Sequence, residues 1–346
     1  MRKNIKRILI SRTDKLGDVV LTFPMIGYFK KFYPDTQVFF LGRSYTKPLI
    51  DLNINIRGFL NYDDIEKLPK EEQVTQIKSY GFDAVIHVYP VKQIARLCKD
   101  ANIPTRIGTS HRLYHWFTCN KLVRFSRKKS NLHEAQLNIK LLKPFKIKAI
   151  PKVKELPQYY GLKQPYLPPE KKMIDYYNEK INIDDLLDNN RINLLIHPKS
   201  GGSAVEWGTK NFGALLDLLD ENKYKLFLTG TKAEGEILKD FVSLYSDKLI
   251  DVAGVFTLEQ FIYFISRTDG IVAASTGPLH IAAAFGKFAL GLFAPNRPIH
   301  PQRWAPIGKN AFYVADNNCN KGPDFCIKNI TAEKVHEKIK SFFEKQ

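Results

Sequence analysis

Three short segments set hydroxyls, small residues and one or two charges directly after apolar runs, an arrangement suited to phosphate and proton chemistry. In one, Gly270 to Ala274 reads as a buried strand that stops at Ser275-Thr276-Gly277-Pro278, where an alanine-rich helix begins. Ser275 or Thr276 can cap that helix, Gly277 lets backbone approach a ligand, and Pro278 fits the first turn, where no amide donor is needed. Such a helix start gathers unpaired N–H groups and a positive dipole end on one spot, which suits a phosphate. His280, inside the first turn, adds a neutral or cationic donor. The same residues also describe an ordinary strand-to-helix corner with a packed histidine.

The second segment runs from His197 to Trp207 and holds Lys199, Ser200, Gly201, Gly202 and Ser203. Exposed amides, two hydroxyls and a lysine make a loop able to cradle phosphate. Nearby in sequence, Glu234 follows Thr229-Gly230-Thr231 and could accept hydrogen bonds from a ribose or simply start a helix. The third segment, Ser11 to Asp18, follows the first apolar run. Gly17 permits a tight turn, and Asp18 opens the next helix, where the dipole, Arg12 and Lys15 favour its ionised form. An ionised carboxylate there suits a general base, although aspartate also caps helices. Gly-x-x-x-x-Gly-Lys-Ser/Thr does not occur, nor does Gly-x-Gly-x-x-Gly after a strand, which argues against a P-loop NTPase and a dinucleotide dehydrogenase.

These segments need a scaffold of parallel strands covered by helices, and the rest of the chain supplies the pattern. Strands are expected near Arg7–Ser11, Gln37–Leu41 and Asp83–Val88, with helices over Asp18–Lys31, Asp64–Tyr80, Val91–Lys99 and Leu132–Lys143. Six prolines between Lys143 and Glu170 exclude long regular elements and mark a linker. Alternation then restarts with strands near Ile192–His197, Lys225–Thr229, Leu249–Val252, Ile271–Ala274 and Ala289–Phe293. Helices are expected over Gly208–Glu221, Ala233–Leu244, Leu258–Ser266 and Leu279–Phe285, and a last amphipathic one over Ile330–Phe343. The expectation is an α/β chain of two Rossmann-like domains, 1–160 and 161–330, with ligand held in the crevice between them. A helix over 331–346 would pack back on the first domain.

The chain has 346 residues and a formal charge of +18, very unevenly placed. Residues 1–160 carry a net +17 and residues 161–346 only +1. Within 101–150 there are 11 basic residues and a single acid, Glu134. Arg124, Arg127, Lys128 and Lys129 cluster there with no acid beside them in sequence. A basic half suggests nucleic acid, an anionic membrane surface or an acidic substrate. Four scattered cysteines argue against a disulfide framework and for a reducing compartment. Cys319 and Cys326, with six residues between them, could form a bridge or half a metal site, but are read as loop cysteines without a role. No apolar run is long enough to span a bilayer. The expected location is cytoplasmic, or bound peripherally to a membrane.

Together the segments resemble the bacterial lipopolysaccharide heptosyltransferase family, glycosyltransferase family 9, over most of the chain. The likeness is strongest in Arg12–Asp18, His197–Trp207 and Asp269–Pro306, including Phe293 to Pro301. It implies a GT-B fold and an inverting, metal-independent transfer of heptose from ADP-heptose to the lipid A–Kdo inner core, without a cofactor. By resemblance Asp18 is the catalytic base, and Lys199 and Ser200 belong to the donor-phosphate loop. Glu234 falls on the adenosine ribose, and Ser275, Thr276, Gly277 and His280 on the diphosphate and sugar. Arg12, Lys15 and Arg106 are expected to hold an anionic glycolipid acceptor. Two departures stand out: Val205 and Glu206 replace a basic residue before Trp207, and Ser275 stands where some members have aspartate. They keep open a related GT-B enzyme using another nucleotide sugar. A non-catalytic nucleic-acid-binding protein is the distant alternative, and it lacks any RRM, KH or zinc-finger signature.

Overall fold

A computed structural model describes residues 5–127 and 129–345. Lys128 of the basic cluster lies outside the described residues. The chain forms two compact units, Met1–Lys163 and Gln164–Gln346.

In the first unit the strands are β1 (Arg7–Ser11), β2 (Gln37–Gly42), β3 (Ile56–Asn61), β4 (Ala84–His87), β5 (Thr105–Thr109) and β6 (Lys121–Val123). All pair in parallel, in the order β3-β2-β1-β4-β5-β6. Ile8, Leu9, Ile10, Val85 and Ile86 are fully or almost fully buried, as central parallel strands covered on both faces must be. The chain order reverses between β1 and β4, and loops leaving those carboxyl ends form the switch point where such sheets bind ligands.

In the second unit a hairpin, β7 (Met173–Tyr176) and β8 (Glu179–Asn182), precedes another parallel sheet. Its strands are β9 (Ile192–His197), β10 (Tyr224–Leu228), β11 (Leu249–Asp251), β12 (Gly270–Ala274), β13 (Phe288–Phe293) and β14 (Ala311–Ala315). They repeat the same order, β11-β10-β9-β12-β13-β14, with the switch point between β9 and β12. Every residue of β12 and β13 is buried.

Several expected helices are divided. The span from Asp18 to Lys31 is two helices, Leu16–Val20 and Phe23–Phe32, because Pro24 lacks an amide and the Thr22 hydroxyl donates to the Asp18 carbonyl at 2.9 Å. Pro69 likewise separates Tyr62–Ile65 from Lys70–Ser79. The proline-rich linker packs onto the first unit as short 3-10 turns, with Leu156 and Tyr160 buried.

The closing helix, Ala332–Phe343, packs into the core of the second unit. Val335 and Ile339 are fully buried with Leu215, Leu216 and Leu290, and Phe342 lies 4.8 Å from Phe288. Cys319 and Cys326 are joined by a disulfide, so they are neither idle nor metal ligands. Asn329 donates to Asp316 at 2.6 Å, folding the loop back until the two Cα atoms are 5.5 Å apart, within bonding reach. Cys98 and Cys119 are buried thiols.

Candidate active site

The second unit gathers its polar residues at the β9/β12 switch point. Thr276 is the N-cap of helix Gly277–Ala284, with extended backbone and Pro278 in the first turn, but its hydroxyl makes no capping bond. Thr276 Oγ1 is buried and without a partner, and so is His280 Nδ1 one turn on. Thr276 is 4 % and His280 2 % exposed. Burial holds the His280 imidazole down at about 4, so it is neutral at physiological pH rather than cationic. Two unsatisfied polar side chains beside unpaired helix amides form a site prepared for an oxyanion.

The loop after β9 closes over this corner. Gly201 and Gly202 adopt positive φ, +53° and +71°, which turns the chain tightly enough for Glu206 to reach back. Glu206 accepts from the Lys199 ammonium at 2.5 Å and from the Ser200 amide at 2.9 Å and hydroxyl at 3.2 Å. Burial alone would raise the Glu206 carboxyl, but Lys199 and Ser200 outweigh it and hold it below its usual value. Thus the acid that departs from the family pattern does not point away; it pairs with the lysine expected to supply charge. Ser203 donates to the Ser275 carbonyl at 3.2 Å and so ties the two loops together. Trp207 ends the loop in the core, 1 % exposed, with its indole donating to the Ile330 carbonyl at 2.8 Å.

Glu234 starts a helix. It forms a capping box with Thr231, accepting from that residue's amide at 2.8 Å and hydroxyl at 3.0 Å. Its other oxygen, Oε1, faces Gly201, where a Cβ would stand 3.7 Å away. The structure therefore brings Lys199, Ser200, Glu234, Ser275, Thr276, Gly277 and His280 to one end of one sheet. His197, at the end of β9, sits 2.9 Å from the Thr229 hydroxyl, and burial pushes its imidazole below its ordinary value.

In the first unit, Arg12 is the hub of a buried charge network just beyond β1. Its guanidinium, 3 % exposed, bonds both Asp14 oxygens at 2.8 and 3.0 Å and the Asp18 carboxylate. It also reaches the Asn138 side chain at 3.3 Å and Glu134 at 3.7 Å. Burial would lower the Arg12 guanidinium, but Asp14 and Asp18 raise it above its ordinary value. Burial, reinforced by the charge of Asp18, pushes the Asp14 carboxyl up against the pull of Arg12. Asp18 is no helix cap: it is the third residue of Leu16–Val20, and the capping position belongs to Lys15. Its side chain, 19 % exposed, can meet solvent while Arg12 fixes its orientation.

Sequence reasoning missed Asp14, Glu134 and Asn138. Glu134 offered a signal as the sole acid among eleven cations, and it is 1 % exposed, paired to Arg12 and Arg127. That pairing corrects the reading of Arg127 as one of a cluster with no acid to offset it. Lys15 is exposed beside the network, but Arg106 is not brought to it. Arg106 lies near the amino end of β5, its guanidinium donating to the Thr118 and Ile103 carbonyls at 2.7 and 2.6 Å. Among the described residues no three His, Cys, Asp or Glu are placed to hold a metal ion.

Residues 73–335 match the profile of glycosyltransferase family 9 (heptosyltransferase). The chain is 23% identical over 326 residues to the lipopolysaccharide core heptosyltransferase OpsX of Haemophilus influenzae, covering 91% of this chain and 86% of that one. The fold superposes on the ADP-heptose lipopolysaccharide heptosyltransferase II of E. coli with a TM-score of 0.75, at 18% identity and 99% and 100% coverage of this chain and that one. A glycosyl transferase family 9 structure from Veillonella parvula gives a TM-score of 0.77 at 19% identity, with 100% and 99% coverage.

Proposed function

Because the chain belongs to glycosyltransferase family 9, the heptosyltransferases, we propose that this GT-B glycosyltransferase moves heptose from ADP-heptose to the lipid A–Kdo inner core of lipopolysaccharide. The observation that carries this reading is the unsatisfied helix start of the second unit. Thr276 Oγ1 and His280 Nδ1 are buried without partners beside free helix amides. A diphosphate brings the oxygens that would satisfy them.

In this reading Asp18, oriented by Arg12, takes the proton of the acceptor hydroxyl. The hydroxyl oxygen bonds to the anomeric carbon from the face opposite the diphosphate, the bond to the diphosphate breaks, and the configuration inverts. ADP leaves with the electron pair. Its charge is met by the helix amides, the Thr276 hydroxyl, neutral His280 and the Lys199 ammonium once Glu206 yields it. A diphosphate stabilised in this way needs no carboxylic acid to protonate it, unlike a glycosidase leaving group. We take the reaction to need no metal, since protein groups supply the positive charge. The basic first unit holds the phosphorylated acceptor at the cytosolic face of the inner membrane, with exposed Lys15 beside the base and buried Arg12 acting on it through Asp18. No helix of the described residues is long and apolar enough to cross a membrane.

A second reading, a different nucleotide sugar as donor, is favoured by the Lys199–Glu206 pair and by Ser275. A donor screen decides between them: purified protein, a lipid A–Kdo acceptor, and ADP-heptose beside UDP-, GDP- and ADP-hexoses, with products weighed by mass spectrometry. Heptosylated acceptor supports the first reading. Transfer only from another donor establishes the second, and no transfer from any donor defeats both.

A further inference from the structure

Three large apolar side chains stand out of one short segment between β5 and β6: Leu113 is 76 %, Trp116 61 % and Phe117 71 % exposed. The segment is braced from beneath. His115 is fully buried, with Nδ1 2.9 Å from the Thr109 carbonyl oxygen and its ring 5.7 Å from that of His87. Thr118 and Cys119 are buried beside it. Gly108 leaves the room, because a Cβ there would come within 2.5 Å of His115 Nδ1. Trp116 donates its indole N–H to the Ser110 carbonyl at 3.0 Å, so its polar atom is used within the loop while the rings stay in solvent. Apolar surface held outward on a rigid base marks a contact site.

The rim of this surface is basic. Arg112 is exposed in the same turn. Arg124 is exposed just past β6, where the Val123 carbonyl accepts from the Ser110 amide at 3.2 Å, and Lys129 is exposed a few residues on. The one acid of this region, Glu134, is buried and engaged by Arg12 and Arg127, so it offsets none of these surface charges. Tryptophan and phenylalanine ringed by arginine and lysine match the boundary of an anionic bilayer, where rings enter the headgroup layer and cations meet lipid phosphates. A second copy of the chain would bring basic rim against basic rim.

We propose that Leu113, Trp116 and Phe117 form a wedge that enters the headgroup region of an anionic lipid bilayer, with Arg112, Arg124 and Lys129 contacting lipid phosphates. Trp116 is fastened at Ser110, directly past the carboxyl end of β5, so the wedge adjoins the sheet end that carries Arg12 and Asp18. The inference rests on the membrane-bound acceptor proposed above, but its deciding readout, vesicle binding, needs neither acceptor nor donor, so the two can fail separately.

The experiment is co-sedimentation with phosphatidylglycerol–phosphatidylethanolamine vesicles and with phosphatidylcholine vesicles, at low and physiological salt. A Leu113→Ser, Trp116→Ser, Phe117→Ser variant should lower binding to the anionic vesicles about tenfold or more. Arg112→Glu with Arg124→Glu should abolish the preference for anionic over neutral vesicles. All of these residues are exposed, and turnover on a soluble, deacylated acceptor should stay at the parent value. Parent-like vesicle binding by the triple variant overturns the proposal. So does a triple variant that changes from dimer to monomer in sedimentation velocity with vesicle binding unaltered, which makes the patch a contact between copies. Loss of turnover on the soluble acceptor reassigns it to substrate.

Discussion

The Lys199 ammonium lies 2.5 Å from the Glu206 carboxylate, so the cation of the loop after β9 is already neutralised within that loop. An incoming diphosphate has to compete with Glu206 for it. Glu206→Gln should therefore tighten ADP binding, by roughly two- to fivefold given the usual worth of a part-exposed ion pair. Lys199→Ala should weaken it. Calorimetry with ADP measures both, and equal affinities in parent and Gln variant would mean that Lys199 does not meet the nucleotide.

Asp18→Asn keeps the shape of the side chain and removes its capacity to take a proton. Turnover should fall by ~10²–10⁴ while ADP affinity stays near the parent value. Because Asp18 also partners Arg12, the variant's melting temperature should be recorded beside its rate. A stable variant with parent-like turnover would leave Asp18 as no more than the partner of a buried arginine.

Thr276→Val and His280→Ala remove the two unpartnered groups at the helix start. Each should weaken ADP binding about tenfold or more, the scale of a hydrogen bond to a charged acceptor. Since His280 is neutral down to about 4, its contribution should stay level between pH 8 and pH 6. Calorimetry at the two pH values tests this. A His280-dependent gain in affinity on acidification would show that the ring binds as a cation.

Two buried histidines should make the fold sensitive to acid. Burial, then His115 and Arg106, lower the His87 imidazole from 6.5 to about 3, and burial lowers His280 to about 4. The unfolded chain takes up these protons below pH 6.5 while the folded chain refuses them. Stability is therefore fully present above 6.5 and falls with pH toward 4 and 3, by ~1.4 kcal/mol per unit for each group. Melting temperatures measured from pH 7 to pH 4 should show this slope, and it should be shallower in His87→Leu. An unchanged slope in that variant would place the acid sensitivity elsewhere.

The central strands were legible because a strand covered on both faces is apolar throughout, as at Leu194 to Ile196 and Gly270 to Ala274. The sheet margins were not. β3 carries Arg57 and Gly58 and β6 has three residues, so neither shows the continuous apolar run of a covered strand, whereas β14 is apolar from Ala311 to Ala315 and lies past the last expected strand. Glycine and proline marked the turns after β1, β9 and β12, since their signals are local, whereas Asp18 does not cap its helix and the Thr276 hydroxyl makes no capping bond. Partners were hidden. The reach of Glu206 back to Lys199 depends on two left-handed glycines, and the pairing of Glu134 with Arg12 joins residues far apart in sequence. The bond between Cys319 and Cys326 depends on Asn329 folding the loop back onto Asp316.

The hydrogen bond from Trp207 to the Ile330 carbonyl has a consequence during synthesis. The loop that Trp207 terminates cannot be fastened until residues 123 positions later have been made. A similar interval separates Leu215 and Leu216, on the helix Thr209–Leu218, from Val335 and Ile339, which complete its packing. The first unit has a closure of like length, from Arg12 to Asn138 across 126 positions, but all its residues are made before the second unit emerges. At a translation rate of about 5–20 residues per second, it waits roughly ten to forty seconds for the second. For that interval the nascent chain carries a complete, strongly basic unit ahead of a loop that Trp207 has yet to close.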